Sequence, residues 1–464
     1  MTASPRKQAS RSAAKPSARA LAYSILLGVE TEKAYASELL HSRLDASLDA
    51  REAALSTELV MGTLRWQRLL DFFIERYTDR TTATLDPEVL IVLRLGIYQL
   101  RYLTRVPARA AVSESVELAK LARKRSAAPL VNAALMRAAA EREQPAADFL
   151  PSEIGATEAM AIAHSHPTWL VERWLRTFGK QQTVALLESN NRTPETCCVF
   201  LKPSHRDEAI RSLHEAGIRF EGGRLLADAI VVSRGNVAKT KAFRSGWIGT
   251  QDEASQMVPL LLGAKPGDFV LDLCAAPGGK TIALANLVGN QGHVVASDVH
   301  EARLRAMRKR LEIAGGENVS IAALDGTRPL PFANTFDGIL VDAPCSGTGT
   351  LTRNPEIRWR LRREDLEDLH RRQVPLVRAA LEHLSPKGAL LYSTCSLEPE
   401  ENESVLREVL AAAPEFRCEP LEISERALAP RVSRGGLIGE DGAFRTFPPT
   451  HRTDGFFAAL IVRR

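Results

Sequence analysis

The chain has 464 residues, 45% of them hydrophobic and 25% charged, a balance typical of a globular protein and a length too great for one compact domain. With 61 Lys+Arg against 56 Asp+Glu the formal charge is +5, which permits a nucleic-acid partner without demanding one. No run of about 18 apolar residues occurs, so no membrane-spanning helix is expected; six cysteines with no CxxC pair and no Cys/His ligand spacing exclude a disulfide scaffold and a metal site.

The first twenty residues carry Arg6, Lys7, Arg11, Lys15 and Arg19, no acid and no apolar h-region. They do not read as a secretory signal. Residues 1–17 are expected to be a disordered basic tail, or else an arm on RNA phosphates.

Over 18–145 an all-α bundle is expected. Leu21, Ile25 and Leu26 form one apolar stripe and Leu55, Leu59, Val60 and Leu64 another. Val89, Leu90, Leu93, Ile97, Leu100 and Leu103 form the strongest. Asp86-Pro87 reads as a helix start, a capping acid before Pro at the first helical position, and Val112 to Ala122, opened by Ser113, reads as a further helix. Residues 143–154 read as a linker, because Pro145 and Pro151 interrupt any helix. His164 and His166 lack a third ligand and are expected to cap or to lie on the surface. Trp169, Leu170, Trp174, Leu175 and Phe178 follow in a short amphipathic helix.

Residues 155–245 are expected to hold that helix and a small α+β linker domain: a strand over 196–201, a helix over 206–217 and a strand over 228–233. From 246 to 464 short apolar runs alternate with helices: 269–271, 294–296, 321–323, 338–341 and 389–392, with a last strand over 456–462. That pattern predicts a parallel sheet covered on both faces, a Rossmann-like α/β domain. The fold class is thus multidomain: all-α bundle, small α+β unit, α/β domain.

The first of these strands runs into Asp272-Leu-Cys274-Ala275-Ala276-Pro277-Gly278-Gly279-Lys280-Thr281. A cofactor is expected at such a turn, where Gly278 and Gly279 let the backbone approach it closely. The turn is not a P-loop, because Cys274 stands where the first glycine belongs, and it is not a GxGxxG. Asp298 closes the second strand, about twenty residues on, where an acid accepts both hydroxyls of a ribose. Asp325, at the third, suits an adenine amino group, and Asp342 closes the fourth. Four strands ending in or near Asp point to a shared ligand with a ribose and an adenine but no polyphosphate: S-adenosylmethionine.

Cys345, in Asp342-Ala-Pro-Cys345-Ser-Gly, and Cys395, in Ser393-Thr-Cys395-Ser, fall at the carboxyl edge of this sheet among Ser, Thr and Gly. Placement at an edge favours chemistry over packing. A thiolate that adds to carbon 6 of a cytosine activates carbon 5 toward a sulfonium methyl, which is covalent catalysis. Asp342 is placed to hold a flipped base. Lys280 either lowers the pKa of a nearby thiol or makes a phosphate or backbone contact.

DLCAAPGGKT, DAPCSGTGT followed by RNPEIRW, and YSTCSLEPEEN together resemble the NOL1/NOP2/Sun family of RNA cytosine-C5 methyltransferases, over residues 190–464. The all-α segment resembles the NusB-like RNA-binding domain, and the pairing is similar to bacterial members that methylate a cytosine of 16S ribosomal RNA. The resemblance implies that Cys395 attacks carbon 6 and that Cys345 helps release the product. It also implies that Cys274–Lys280 hold the methionine end of S-adenosylmethionine, while Asp298, Asp325 and Asp342 complete the pocket and orient the base. One departure is Cys198-Val-Phe-Leu-Lys202, where relatives usually carry an Arg-containing strand. The Arg353, Arg358, Arg360, Arg362 and Arg363 run is expected to be a phosphate-binding strip, and Trp359 either stacks on a base or anchors the loop. Three rival readings are a DNA methyltransferase using Cys345, a transfer-RNA methyltransferase, and a non-catalytic RNA-binding ribosome-assembly factor. A cytoplasmic, metal-free monomer is expected.

Overall fold

The computed structural model describes residues 17–32, 34–44, 49–430, 432–433 and 436–464. The basic tail, apart from Ser17, lies outside the described residues. Chain contacts divide the protein into two compact units, one of the residues up to Thr177 with Asn354–Glu356, the other of Phe178–Arg353 with Ile357–Arg464.

In the first unit the described residues form α1 (Ala18–Glu32), α2 (Ala36–Arg43), α3 (Ala50–Arg65), α4 (Gln67–Thr78), α5 (Pro87–Tyr102), α6 (Ala108–Leu121) and α7 (Ala128–Ala140). Every residue of α5 from Val89 to Leu100 is buried. A helix buried all round is the centre of its bundle, and α1, α3, α4, α6 and α7 all pack on it. Its burial includes Arg94, whose guanidinium forks onto Asp71 at 2.7 and 2.8 Å and reaches Glu30 at 3.1 Å.

Several local expectations change. Asp86 does precede Pro87 at the start of α5, but its carboxylate accepts from Lys124 Nζ at 2.8 Å rather than capping a backbone N–H. α6 begins at Ala108, straight after Pro107, because the alanines around Arg109 are strong helix formers. The 143–154 segment is not a loose linker. Phe149, Leu150 and Ile154 pack on the bundle core, and Phe149 meets Phe73 edge-on at 5.5 Å. Then come α8 (Ala156–Ala163) and α9 (Thr168–Asn190), the latter broken at Gly179, whose φ is 73°. His166 is buried rather than on the surface, its Nδ1 2.7 Å from the His164 carbonyl. Among the described residues no His/Cys/Asp/Glu cluster could hold a metal, and no helix is long and apolar enough to cross a membrane.

The second unit holds two sheets. The smaller is antiparallel, order β2-β3-β1-β4, from β1 (Thr196–Phe200), β2 (Arg219–Gly222), β3 (Ile230–Arg234) and β4 (Ile248–Thr250), with α10 (Arg206–Glu215) and α11 (Lys241–Arg244). β2 and β4 are too short for a pattern of alternation to reveal them. β4 lies past residue 245, where composition put the start of the α/β domain, and is assigned to the small sheet by its pairing with β1.

The larger sheet comprises β5 (Phe269–Asp272), β6 (His293–Asp298), β7 (Val319–Ala323), β8 (Phe336–Asp342), β9 (Leu384–Thr394), β10 (Phe416–Glu419), β11 (Phe444–Thr446) and β12 (Phe456–Arg463). Its order is β10-β12-β9-β8-β5-β6-β7, with β11 on β12. β5 to β9 are parallel; β10, β11 and β12 pair antiparallel at one edge. α12 (Glu253–Leu261), α13 (Gly279–Val288), α14 (Glu301–Ala314), α15 (Ile357–Arg360), α16 (Asp365–Leu381), α17 (Glu403–Ala412) and α18 (Pro448–His451) accompany it. After β5 the chain first winds outward to β6 and β7, then returns to β8 on the other side. That reversal opens a crevice between the carboxyl ends of β5 and β8, where open α/β sheets bind their ligands.

Arg94 tests the bundle. Arg94→Met leaves Asp71 and Glu30 facing an apolar side chain in a buried position and should destabilise the first unit by about 3 kcal/mol. Chemical denaturation followed by circular dichroism checks it; a change below about 1 kcal/mol contradicts the assignment.

Candidate active site

The turn after β5 is shaped by its neighbours. Ala275 N–H donates to the Ser297 carbonyl at 2.8 Å. Gly278 sits at φ 94°, where a Cβ would lie 2.7 Å from Met307 Cγ, so only glycine fits. α13 then starts at Gly279 with its first N–H groups free of intrahelical partners.

Beside this turn is a cleft of about 490 Å³, counting the space open to solvent. Asp272, Cys274, Ala275, Ala276, Pro277, Gly279, Lys280 and Asp342 line it, and Thr250, Gln251, Ser255 and Arg310 close the far side. Asp272 is the informative member. Its Oδ2 accepts from Thr281 Oγ1 at 2.6 Å, while Oδ1 is buried without a partner. Burial, with the nearby Asp342 charge, pushes its pKa up to about 7. An unpaired buried carboxylate oxygen calls for a cationic or N–H donor from a ligand, which S-adenosylmethionine supplies in its α-ammonium. The residues present therefore fit that cofactor.

The other strand-end acids stand differently. Asp298 accepts from Ala276 N–H at 3.2 Å and His300 N–H at 2.9 Å, spanning the turn and the entry to α14. Asp325 lies two residues beyond β7, accepts from the Thr327 N–H and hydroxyl at 3.0 and 2.6 Å, and is 3.3 Å from Arg328. Those bonds, the Thr327 hydroxyl first, hold its carboxyl below the usual range. Neither acid lines the cleft, and Gly278 contributes only its backbone turn.

Asp342 joins the cleft to the thiols. Its Oδ2 accepts from Lys280 Nζ at 2.6 Å and its Oδ1 from Ser393 Oγ at 2.8 Å. Burial works against the Lys280 ammonium, but Asp342 outweighs it and the pKa rises; the negative charge of a Cys395 thiolate adds to that. β8 and β9 run parallel with Asp342 opposite Ser393, so the loops after them lie side by side. Cys345 Sγ and Cys395 Sγ are 3.2 Å apart. The contact with Cys395, then burial, raises the Cys345 thiol well above its ordinary pKa, so Cys345 keeps its proton.

A residue to which the sequence reading gave no role holds these loops together. Glu401 is fully buried. It accepts from Ser346 N–H at 2.8 Å, from Ser346 Oγ and Ser396 Oγ at 2.5 Å each, and from Gln373 Nε2 at 3.1 Å. Each thiol thus has the residue after it bonded to the same carboxylate. Backbone closes the same region: Gly349 N–H donates to the Cys395 carbonyl at 3.0 Å and Gly455 N–H to the Gly349 carbonyl at 2.8 Å. A Cβ on Gly349 would sit 2.1 Å from the Gly455 oxygen. The signal for Glu401 was the EPEEN end of the YSTCSLEPEEN motif, to which no role was assigned beyond the resemblance.

Part of the arginine run is structural. Arg353 pairs with Asp252 at 2.8 Å and Asp454 at 3.2 Å. Burial and the neighbouring Asp252 push Asp454 up to about 8, against the pull of Arg353. Arg358 is buried and donates to Asn191 Oδ1 at 2.9 Å and to the Asn190 carbonyl at 3.2 Å, with Trp359 beside it at 5.9 Å. Two of the five expected phosphate contacts are therefore spent on internal carboxylates and carbonyls. Arg362 and Arg363 are exposed and Arg360 half-buried.

Family models match three stretches: 16S rRNA methyltransferase RsmB/F over 259–462, the NusB family over 16–140, and the RsmF/B-like ferredoxin-like domain over 166–238. A probable ribosomal RNA small subunit methyltransferase B from Bacillus subtilis is 32% identical over 97% of this chain and 99% of its own length. The chain belongs to the ribosomal RNA small subunit methyltransferase B family. The Synechocystis relative of the same description is 34% identical over 96% of this chain and 99% of its own. Among solved structures, PH0851 superposes with a TM-score of 0.79 at 27% identity, over 96% of this chain and 98% of that one. A methyltransferase homolog from Pyrococcus horikoshii gives 0.57 at 30%, over 67% and 100%. As a member of the small subunit methyltransferase B family, the protein is an enzyme of methyl transfer, with a NusB-type helical part, a ferredoxin-like part and an α/β part in that order.

Two measurements test the site. Asp272 holds its proton more tightly folded than unfolded, so its contribution to stability is complete below about pH 4 and is lost as pH rises to about 7. Asp272→Asn removes that loss. Its stability relative to the unsubstituted protein should rise by about 2–4 kcal/mol between pH 4 and 8, measured by denaturant titration at several pH values; a pH-independent difference contradicts it. Glu401→Ala strands two hydroxyls and an N–H, and should lower the transition midpoint and slow methyl transfer at least tenfold, read by melting and initial rates together.

Proposed function

We propose that this protein methylates carbon 5 of a cytosine in 16S ribosomal RNA, with S-adenosylmethionine as methyl donor and Cys395 as nucleophile. The observation that carries the reading is the pair of thiols 3.2 Å apart, tied through Ser393, Asp342 and Lys280 to the glycine-turn cleft. The description of the relatives as ribosomal RNA small subunit methyltransferase B supplies the substrate class, and the cytoplasm is where that RNA is found.

The turn 274–280 and Asp272 hold the methionine end of the cofactor in the cleft, while Asp298 and Asp325, at the ends of the neighbouring strands outside it, meet its ribose and adenine. When bound, the cofactor supplies an electrophilic methyl group on a sulfonium. Everything else is done by side chains of this chain. Asp342 orients an unstacked cytosine through its base edge. Cys395 Sγ adds to carbon 6, which shifts electron density to carbon 5, and carbon 5 takes the methyl group. The carbon-5 proton leaves to a base, the carbon–sulfur bond breaks, and the pair of electrons returns to Cys395. Cys345, protonated beside the nucleophile, assists this release.

Separate alanine variants decide between the thiols. With 16S RNA and cofactor, Cys345→Ala should accumulate a denaturation-resistant protein–RNA adduct, and Cys395→Ala should form none and transfer no methyl. Adducts that vanish in Cys345→Ala and persist in Cys395→Ala would reverse the assignment. Bisulfite sequencing of 16S and transfer RNA from cells with and without the protein identifies the substrate.

A further inference from the structure

Arg310 is a cation without a counter-charge in a place where one is expected. It stands on α14, and its guanidinium lines the cleft beside the glycine turn. It lies against the end of β4: a Cβ on Gly249 would be 3.1 Å from Arg310 Nη2, while two residues on, Gln251 Oε1 is 3.1 Å from the Cβ position of Gly279 at the start of α13. Burial lowers its pKa and no carboxylate offsets that. Among the described residues it has no ion-pair or hydrogen-bond partner. Arg94, Arg353 and Arg358, by contrast, each donate to carboxylates or carbonyls of this chain.

The same cleft contains the opposite deficiency, the buried Asp272 Oδ1 with nothing to accept from. A half-buried guanidinium and a fully buried carboxylate oxygen, each unpaired among the described residues and both lining one cleft, are a pair of charges that one ligand can satisfy. The chemistry that satisfies both at once is a zwitterion with an anionic and a cationic group on adjacent atoms, which is the head of an α-amino acid. A guanidinium matches a carboxylate in fork geometry, and a carboxylate matches an ammonium.

We propose that Arg310 receives the α-carboxylate of the cofactor's methionyl end while Asp272 takes its α-ammonium. The assignment rests on S-adenosylmethionine being the methyl donor. It makes Arg310 a residue that selects for the intact amino-acid head, so that an adenosyl sulfonium lacking the carboxylate is discriminated against in binding, before any chemistry.

Calorimetric titration of the full-length protein with S-adenosylmethionine and with its decarboxylated analogue tests this without reference to turnover. The unsubstituted protein should bind the intact cofactor roughly 10- to 100-fold more tightly than the analogue, the span of one charge-assisted pair. Arg310→Gln should lose that same factor for the cofactor and change the analogue by less than about twofold, and Arg310→Lys should recover part of it. Melting curves identify any variant that fails to fold, in which case Arg310→Met serves in its place. Equal losses for both ligands, or none, overturn the proposal. So does a loss confined to affinity for a 16S RNA fragment, which would assign the guanidinium to a phosphate. An unsubstituted protein that binds neither ligand overturns the cofactor reading as well, a result distinct from a variant that binds both normally.

Discussion

The contact between Lys280 Nζ and Asp342 Oδ2, 2.6 Å long, is the constraint on which the site depends. Lys280 belongs to the turn after β5 and Asp342 to the end of β8, neighbours in space across the reversal of the sheet. The pair fixes the cofactor turn against the strand that leads to Cys345. Through its second oxygen Asp342 also holds Ser393, two residues before Cys395. One carboxylate thus places cofactor turn, first thiol loop and second thiol loop in a common frame. Its two oxygens are each engaged with a donor, so its orientation is determined by geometry rather than left to rotamer freedom.

The loops beyond Asp342 and Thr394 would be poorly constrained by the sheet alone, since strand hydrogen bonds end where the loops begin. The protein supplies the missing restraint with buried charge. Glu401 gathers donors from the residues following both cysteines, and Arg353 draws Asp252 and Asp454 together beneath the same loops. Buried carboxylates and guanidinium groups are unfavourable unless nearly every lone pair and proton is matched. Where they are matched, as here, few alternative arrangements of the loops remain. That keeps the two sulfur atoms 3.2 Å apart, as the proposed mechanism requires of a nucleophile and the thiol that assists its release.

The two thiols, though close, stand in different surroundings. Cys345 is held protonated by its neighbour and by burial, whereas Lys280 places a positive charge in electrostatic reach of Cys395. In the proposed mechanism a nucleophile at Cys395 and a proton holder at Cys345 provide the asymmetry that covalent addition followed by elimination needs.

Much of this was legible in the amino-acid order. The strand-helix alternation after residue 268, the broken P-loop pattern at Cys274, and two cysteines at strand ends are local features. Hydrophobic period and turn chemistry express them within a few residues. Other features involve partners that are distant in sequence and close in space. Arg353 read as part of a phosphate-binding strip until Asp454, 101 residues away, was found against it; residues 143–154 read as a linker until Phe149 met Phe73; β4 read as the start of a new domain until it paired with β1. The sequence by itself determined the kinds of element, the turn that takes a cofactor and the presence of two edge thiols, because those follow from interactions among near neighbours. Only the tertiary structure decided that the thiols touch, that Glu401 clamps their loops, and that Asp272 and Arg310 face one cleft unpaired, because long-range pairing and desolvation are set by which surfaces the folded chain brings together.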